Sequence, residues 1–338
     1  MNFTAIPSAI TLFFLLPISL LYSQENDSIP RNEYIELMDD KLNVKIDVDD
    51  DIETFSAVEG GIEFKVKPNL DYRTEISVNY RFLSFTLGFT PHLFTNYNEE
   101  HKGETKITKI EFDFFIKKWL QTLSYSQTNG FYSPDYPVPE EYPTDFLILD
   151  DLKVINFKGI TRYRFNENYS LKAIVTQTEI QRKSAGTFMP SLSYSYNMLK
   201  NNATHQDLNT LNFILSAGYL HTFVINSKLY ASIGTTPGVG IDFNKIITKV
   251  NGNEITDNDT NYTLNFDGHL GLGYNSDKWF GGSYFRMLTT TRKETTIVNY
   301  DTFRTHFQVF IGYRFGAPKF LKKQADWIEE KTSIKKSK

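Results

Sequence analysis

The stretch His306-Phe307-Gln308-Val309-Phe310-Ile311-Gly312-Tyr313-Arg314-Phe315 alternates along its length. Phe307, Val309, Ile311, Tyr313 and Phe315 share one parity; His306, Gln308, Gly312 and Arg314 share the other. Side chains of a strand point alternately to its two faces, so this segment has one apolar, aromatic face and one polar face. Tyr262, Leu264, Phe266, Leu270, Leu272 and Tyr274 repeat the pattern opposite Thr263, Asn265, Asp267, His269, Gly271 and Gly273.

The same alternation runs through most of the chain. Ile62, Phe64 and Val66 precede a turn at Lys67-Pro68-Asn69; Tyr72 to Tyr80 and Ser84 to Pro91 follow, joined at Phe82-Leu83. Ile110, Phe112, Phe114 and Ile116 lead through Lys117-Lys118-Trp119 to a strand ending near Thr128. Strands are then expected at Lys153 to Phe165 and Tyr169 to Thr178, at Leu211 to Tyr219, and at Leu229 to Phe243. Two more follow Asn261 and Trp279, before the closing strand. Many strands with one lipid-like face describe an all-β, transmembrane antiparallel barrel of the outer-membrane type. The count is about twelve strands, with ten or fourteen as alternatives. Residues 186–199 carry another strand-like run (Leu192, Tyr194, Tyr196) that does not fit the alternation of directions and reads as an excursion.

Composition agrees. Phe and Tyr number 28 and 20, an aromatic excess suited to girdles at both membrane boundaries. A negative mean hydropathy is compatible with a barrel, because only alternate strand residues meet lipid. Residues Ile10 to Leu21 form an apolar run too short for a spanning helix, which needs about 20 residues. It suits a signal peptide over 1–24, cleaved near Ser23 or Gln24, with an N-terminal anchor as the disfavoured alternative. The absence of Cys excludes disulfides and a cysteine-linked lipid anchor. A net charge of −4 does not suggest nucleic acid as a partner.

This divides the chain into a leader, residues 25–58 as a periplasmic lead-in or first strand (Leu42 to Val48 alternates), a barrel over 59–316, and a basic tail over 317–338. Short connections at Phe82, Lys117, Glu167, Asn226 and Asp277 belong at the periplasmic end. Ser133 to Asp145, with four prolines, and the polar Lys249 to Asp259 read as external loops. In the tail, Phe320, Leu321, Trp327 and Ile328 roughly share a helical face. It is either an amphipathic helix on the inner leaflet or a solvated end.

The leader ending Ser23-Gln24, the Lys67-Pro68-Asn69 turn, Tyr163-Arg164-Phe165-Asn166 before Tyr169-Ser170, and Gln181-Arg182-Lys183-Ser184-Ala185-Gly186-Thr187-Phe188 carry a family resemblance. Over about Asn32 to Phe315 the chain resembles an uncharacterised outer-membrane barrel family of Bacteroidetes, domain of unknown function 4421. The resemblance implies a fold and a location, and transfers no catalytic or binding residue.

Chemistry is therefore sought on the polar parity. Asp47-Val48-Asp49-Asp50-Asp51 begins like a calcium loop, but the sixth and twelfth positions are Ile52 and Val58 where Gly and Glu are needed. Asp267 and His269 project to one face, a pair more typical of a lumen hydrogen bond than of a hydrolase. No catalytic residue, metal or cofactor is expected. Alternation assigns Arg73, Arg81, Lys109, Lys158, Arg162, Arg164, Lys172, Arg286 and Arg314 inward, with Glu75, Glu111, Asp113 and Asp267. Two readings follow: a narrow channel favouring a small anionic solute, or a non-conducting barrel whose charges pair inside while its loops face outward. The implied partners are outer-membrane lipids and the barrel-assembly machinery.

Overall fold

A computed structural model of the chain describes residues 30–50, 54–59, 62–90, 102–138, 146–201, 206–250, 253–291, 298–300 and 303–332. The expected leader lies outside them. The elements in chain order are β1 (Pro30–Asn32), β2 (Ile35–Leu37), β3 (Lys41–Asp49), β4 (Phe55–Glu59), β5 (Ile62–Val66), β6 (Arg73–Tyr80) and β7 (Leu83–Phe89). Then come β8 (Lys106–Ile116), β9 (Trp119–Ser133), β10 (Leu147–Tyr163), α1 (Lys172–Val175), β11 (Glu179–Gln181), β12 (Ala185–Asn201) and β13 (Gln206–Val224). Last are β14 (Leu229–Val250), β15 (Asn253–Asn275), β16 (Trp279–Thr291), β17 (Val298–Tyr300), β18 (Phe303–Gly316) and α2 (Lys319–Thr332).

Twelve strands close into an antiparallel barrel, in the order β3, β6 to β10, β12 to β16 and β18, and β18 pairs back onto β3. The expected number is right, yet two members differ. Residues Ile62–Val66 are not a barrel strand: β5 pairs with β4, and β4 with β17, in a separate three-stranded sheet. A strand with Phe64 and Val66 buried between exposed Glu63 and Lys65 fits any sheet with one covered face, so alternation could not tell the two apart. Residues Tyr169–Thr178 are not a strand either. Their places are taken by Lys41–Asp49 and by the run at 186–199, which is the full-length strand β12. Of the two readings of residues 25–58, first strand is the one observed: Lys41–Asp49 takes in the alternating Leu42 to Val48, and the barrel begins there rather than at residue 59.

Outward side chains form the apolar belt. Ile46, Leu87, Phe157, Leu215, Leu264 and Ile311 are each more than two-fifths exposed. At the short-turn end Trp119 meets Tyr163 with ring centroids 4.8 Å or less apart, as does Trp279 with Tyr313, the aromatic boundary expected of a bilayer interface. Strand lengths are uneven: β7 has 7 residues, while β14 has 22 and β15 has 23. A tilted spanning strand needs about 9–11, so β14 and β15 stand well beyond the belt. The expected loop Lys249–Asp259 is thus strand over its described residues: Val250 pairs with Asn253 and Thr248 with Ile255. It is polar on both parities because both faces of this extension are wet.

The small sheet of β4, β5 and β17 closes over the barrel mouth opposite the short turns, on one side. Phe55, Phe64 and Val66 pack with Phe131 and with the inward-facing Leu152, Val154, Leu199, Leu208 and Ile246. Ser133 and the residues after it dock on this cap: Asp135 Oδ1 accepts the Lys65 amide at 2.8 Å, and Tyr136 stands edge-on to Phe64.

Candidate functional site

The connection from β10 to β12 decides what the lumen can do. After Tyr163 the chain does not turn straight back. Asn166 Oδ1 accepts the Asn168 amide at 3.0 Å, and the chain then enters the barrel. Ser170 Oγ accepts the Ala173 amide at 2.9 Å and starts the single turn α1. Gln177, at φ 52°, reverses direction, and β11 pairs with β2, forming a plug sheet with β1. Tyr169 and Ser170 are 0% exposed, and Thr176, Gln177, Thr178 and Glu179 are buried with them. A segment enclosed by the barrel has no face for lipid, which is why Tyr169–Thr178 forms no barrel strand.

The apolar part of this plug answers side chains that no water-filled pore would carry. Tyr169 and Leu171 pack against Phe115, Leu120, Ala185, Met189 and Leu220, all on the inward parity at the short-turn ends of their strands. Burial pushes the Tyr169 phenol up to about 12.

Polar bonds fix the rest. Asn43 Nδ2 donates to the Thr176 and Gln177 carbonyls at 3.0 and 2.7 Å. Arg314 donates to the Gln177 carbonyl through Nε at 3.2 Å and Nη2 at 2.5 Å, to Asn275 Oδ1 at 2.6 Å, and to the Ser276 carbonyl. Its guanidinium lies 4.8 Å from the Phe280 ring centroid. Tyr284 Oη donates to the Ile174 carbonyl at 3.0 Å. The N-terminal edge is held by Arg182 on Glu36 and by Lys183 Nζ on Glu33 at 2.5 Å. Burial raises the Glu36 carboxyl above its ordinary value although Arg182 pulls it down.

Between plug and cap the wall is charged. Arg73 bridges Asp49 at 2.9 Å and Glu75 at 3.0 Å; Lys109 bridges Glu75 at 2.9 Å and Glu111 at 3.4 Å; Lys45 bridges Asp47 at 3.4 Å. Carboxylate oxygens of Asp47, Asp49 and Glu75 come within 4.8 Å of one another, and these bases lie among them. Across the lumen Arg286 holds Asp267 with two bonds of 2.9 and 2.5 Å. His269 packs over Gly234, where a side chain on residue 234 would collide with its ring. Arg162 Nη1 donates to Thr122 Oγ1 at 3.2 Å, and Lys158 keeps inward register between Ser124 and Ser195.

Of the basic residues expected in the lumen, Arg73, Lys109, Lys158, Arg162 and Arg286 line the chamber. Arg164 and Arg314 face inward but serve the plug, Arg164 by donating to the Tyr169 carbonyl. Lys172 lies in the plug itself, 3.7 Å from Glu179. Arg81 is not in the lumen: it sits in the β6–β7 turn at φ 50° and its Nη1 reaches Asp326 and Glu329 of α2 at 2.6 and 3.2 Å. The turn breaks the alternation there, so parity counting misplaces it. Sequence reasoning missed Asn43, Asn275 and Tyr284, because polar residues on an inward parity look alike whether they meet water or a plug.

A protein-family model, described as a domain of unknown function (DUF4421), matches residues 25–315. No curated protein matches the chain. Among solved structures, the chain is similar to OmpT of Vibrio cholerae at 8% identity, over 86% of this chain and 100% of that one, with a TM-score of 0.33. The translocator domain of the autotransporter NalP from Neisseria meningitidis is similar at 13% identity, over 81% and 88%, with a TM-score of 0.39. An outer-membrane channel from Pseudomonas putida F1 is similar at 11% identity, over 86% and 100%, with a TM-score of 0.35.

Proposed function

The chain belongs to the family described as domain of unknown function (DUF4421), and we propose that it is an outer-membrane barrel that does not conduct while its plug is seated. On this reading it is exported through its N-terminal apolar run, is surrounded by outer-membrane lipids and is not an enzyme. It presents the tall β13–β15 wall outside as an anchored interaction surface. One observation carries the reading: residues 164–184 fill the periplasmic mouth with an apolar core and a buried polar latch. The test is ionic current in a planar bilayer. The full chain is expected to be silent at high loading, and a chain with residues 168–183 replaced by a short Gly-Ser linker is expected to conduct. Steady current from the unaltered protein overturns the proposal.

A second reading has its own support. Arg162 and Arg286 stand in the chamber above the plug, so an unseated plug would open a path lined partly by guanidinium groups, which favour small anions. In the plug-deleted chain, anion selectivity should then fall when Arg162 and Arg286 are both changed to Ala. Unchanged selectivity sinks this second reading and leaves the first intact.

A further inference from the structure

The helix α2 lies where a soluble tail has no reason to be. Leu42 in β3 and Tyr80 in β6 are on the outward parity, opposite the inward Asn43 and Asn79. Further up the same faces, Ile46, Ile76 and Val78 are 47%, 37% and 40% exposed. Tyr80 is 7% exposed, because Ala317, Leu321 and Ala325 pack over it together with Leu42 and Phe82. The helix therefore rests on the lipid-facing wall of the barrel at its periplasmic rim, at the level of Trp279, Tyr313 and Phe315.

Its remaining surface is sorted. At 3.6 residues per turn, Asp326, Glu329 and Glu330 fall on one flank, and Arg81 of the β6–β7 turn anchors that flank through Asp326 and Glu329. Phe320 and Trp327 fall together on the other side, 71% and 57% exposed, next to Gln324 and Lys331. Segregation of aromatics from acids, beside a bilayer boundary, is the pattern of a helix lying in the interface plane. We propose that α2 is an interfacial helix whose Phe320–Trp327 face inserts into the phospholipid of the periplasmic leaflet, pinned to the barrel by the Arg81 ion pairs. The occupant is lipid because this face continues the lipid belt directly from Phe315, five residues before Phe320. The proposal does not depend on whether the lumen conducts.

The chain has no Cys, so single cysteines label one site each. Phe320→Cys and Glu330→Cys, each carrying an NBD dye, are reconstituted as the full chain in phospholipid vesicles. Folding is verified by the heat-dependent gel shift typical of barrels. At 320, emission should shift to the blue, with quenching by lipid bearing a shallow acyl nitroxide and several-fold less quenching by aqueous iodide than at 330. Trp327→Cys repeats the reading on the same face should the first variant fold poorly. Full iodide access at 320 and 327 without lipid quenching overturns the proposal. Protection from both quenchers also overturns it, since that result places protein, such as a second copy, on this face.

Discussion

Arg314→Ala tests the plug at the bond where barrel and plug meet. The guanidinium gives the Gln177 carbonyl two contacts, at 3.2 and 2.5 Å, and its other bonds hold the β15–β16 turn through Asn275 and Ser276. Among the Arg314 bonds, only those to Gln177 cross from wall to plug. A hydrogen bond to a charged group contributes about 1.5–3 kcal/mol, and removing a buried charge recovers part of its desolvation cost. Loss of about 2 kcal/mol of plug docking is expected, roughly a thirty-fold rise in the open fraction at about 1.4 kcal/mol per decade. The Gln177 carbonyl is not orphaned, because Asn43 Nδ2 still donates to it at 2.7 Å. That makes a double-mutant cycle informative. Asn43→Ala alone leaves Arg314 on Gln177, but Asn43→Ala with Arg314→Ala removes both donors and strands a buried carbonyl, at a further cost of about 1–3 kcal/mol. The assay is trypsin cleavage after Lys172, which sits in the plug, on folded protein. Opening rates should rise moderately for each single variant and more than multiplicatively for the pair. Cleavage within twofold of the unaltered chain in the double variant would refute the latch.

Gly312→Ala should destabilise the barrel by about 1–3 kcal/mol, read as a lowered urea midpoint. Its Cβ would lie 2.1 Å from the Phe280 ring and 2.7 Å from the Val44 carbonyl. Phe55→Ala empties the centre of the cap, where Phe55 is 2% exposed and 5.8 Å from Phe131. A local cost of about 3–5 kcal/mol should make residues 54–66 protease-sensitive while the heat-dependent gel shift of the barrel stays. Glu36 gives a pH signature: its carboxyl is raised in the folded state. The linked stability is full below the unfolded value and is lost as pH rises through the folded one. Cleavage at Lys172 should therefore slow on mild acidification, and Glu36→Gln should flatten that dependence. A plug that loosens as pH falls through this range would contradict it.

The belt of the barrel was legible because lipid imposes alternation on every spanning strand, and Phe307 to Phe315 shows it without interruption. Alternation arrives at twelve strands partly by exchange, taking β5 for β3 and Tyr169–Thr178 for β12. Alternation reports a covered face and says nothing of what covers it. Yet a usable signal was present. Phe115, Leu120, Met189 and Leu220 are apolar on the polar parity at one end of their strands, and Leu152, Val154, Leu199, Leu208 and Ile246 are so at the other. Apolar residues facing a lumen need something to pack on, so these two rings predict a plug and a cap. Arg81 and Arg314 were illegible for another reason: their partners Asp326 and Gln177 are 245 and 137 residues away, and long-range pairing leaves no local pattern.

The width of the barrel explains why such pairing is needed. Eight strands leave an interior that side chains can fill, and sixteen leave an aqueous channel; twelve lie between. A gap of that size, lined by Arg73, Lys109, Asp49, Glu75, Asp267 and Arg286, must hold water or more protein. Here four segments supply protein: the β3–β6 and β16–β18 links give the cap, the β10–β12 link gives the plug, and the segment before β3 gives the plug its outer strands. The charges left between them neutralise one another, as Arg73 and Lys109 do with Glu75 and Arg286 does with Asp267. A removed partner would leave a buried charge at a cost far above the small net gain of the pair. The basic excess counted along the strands is therefore largely cancelled within the wall.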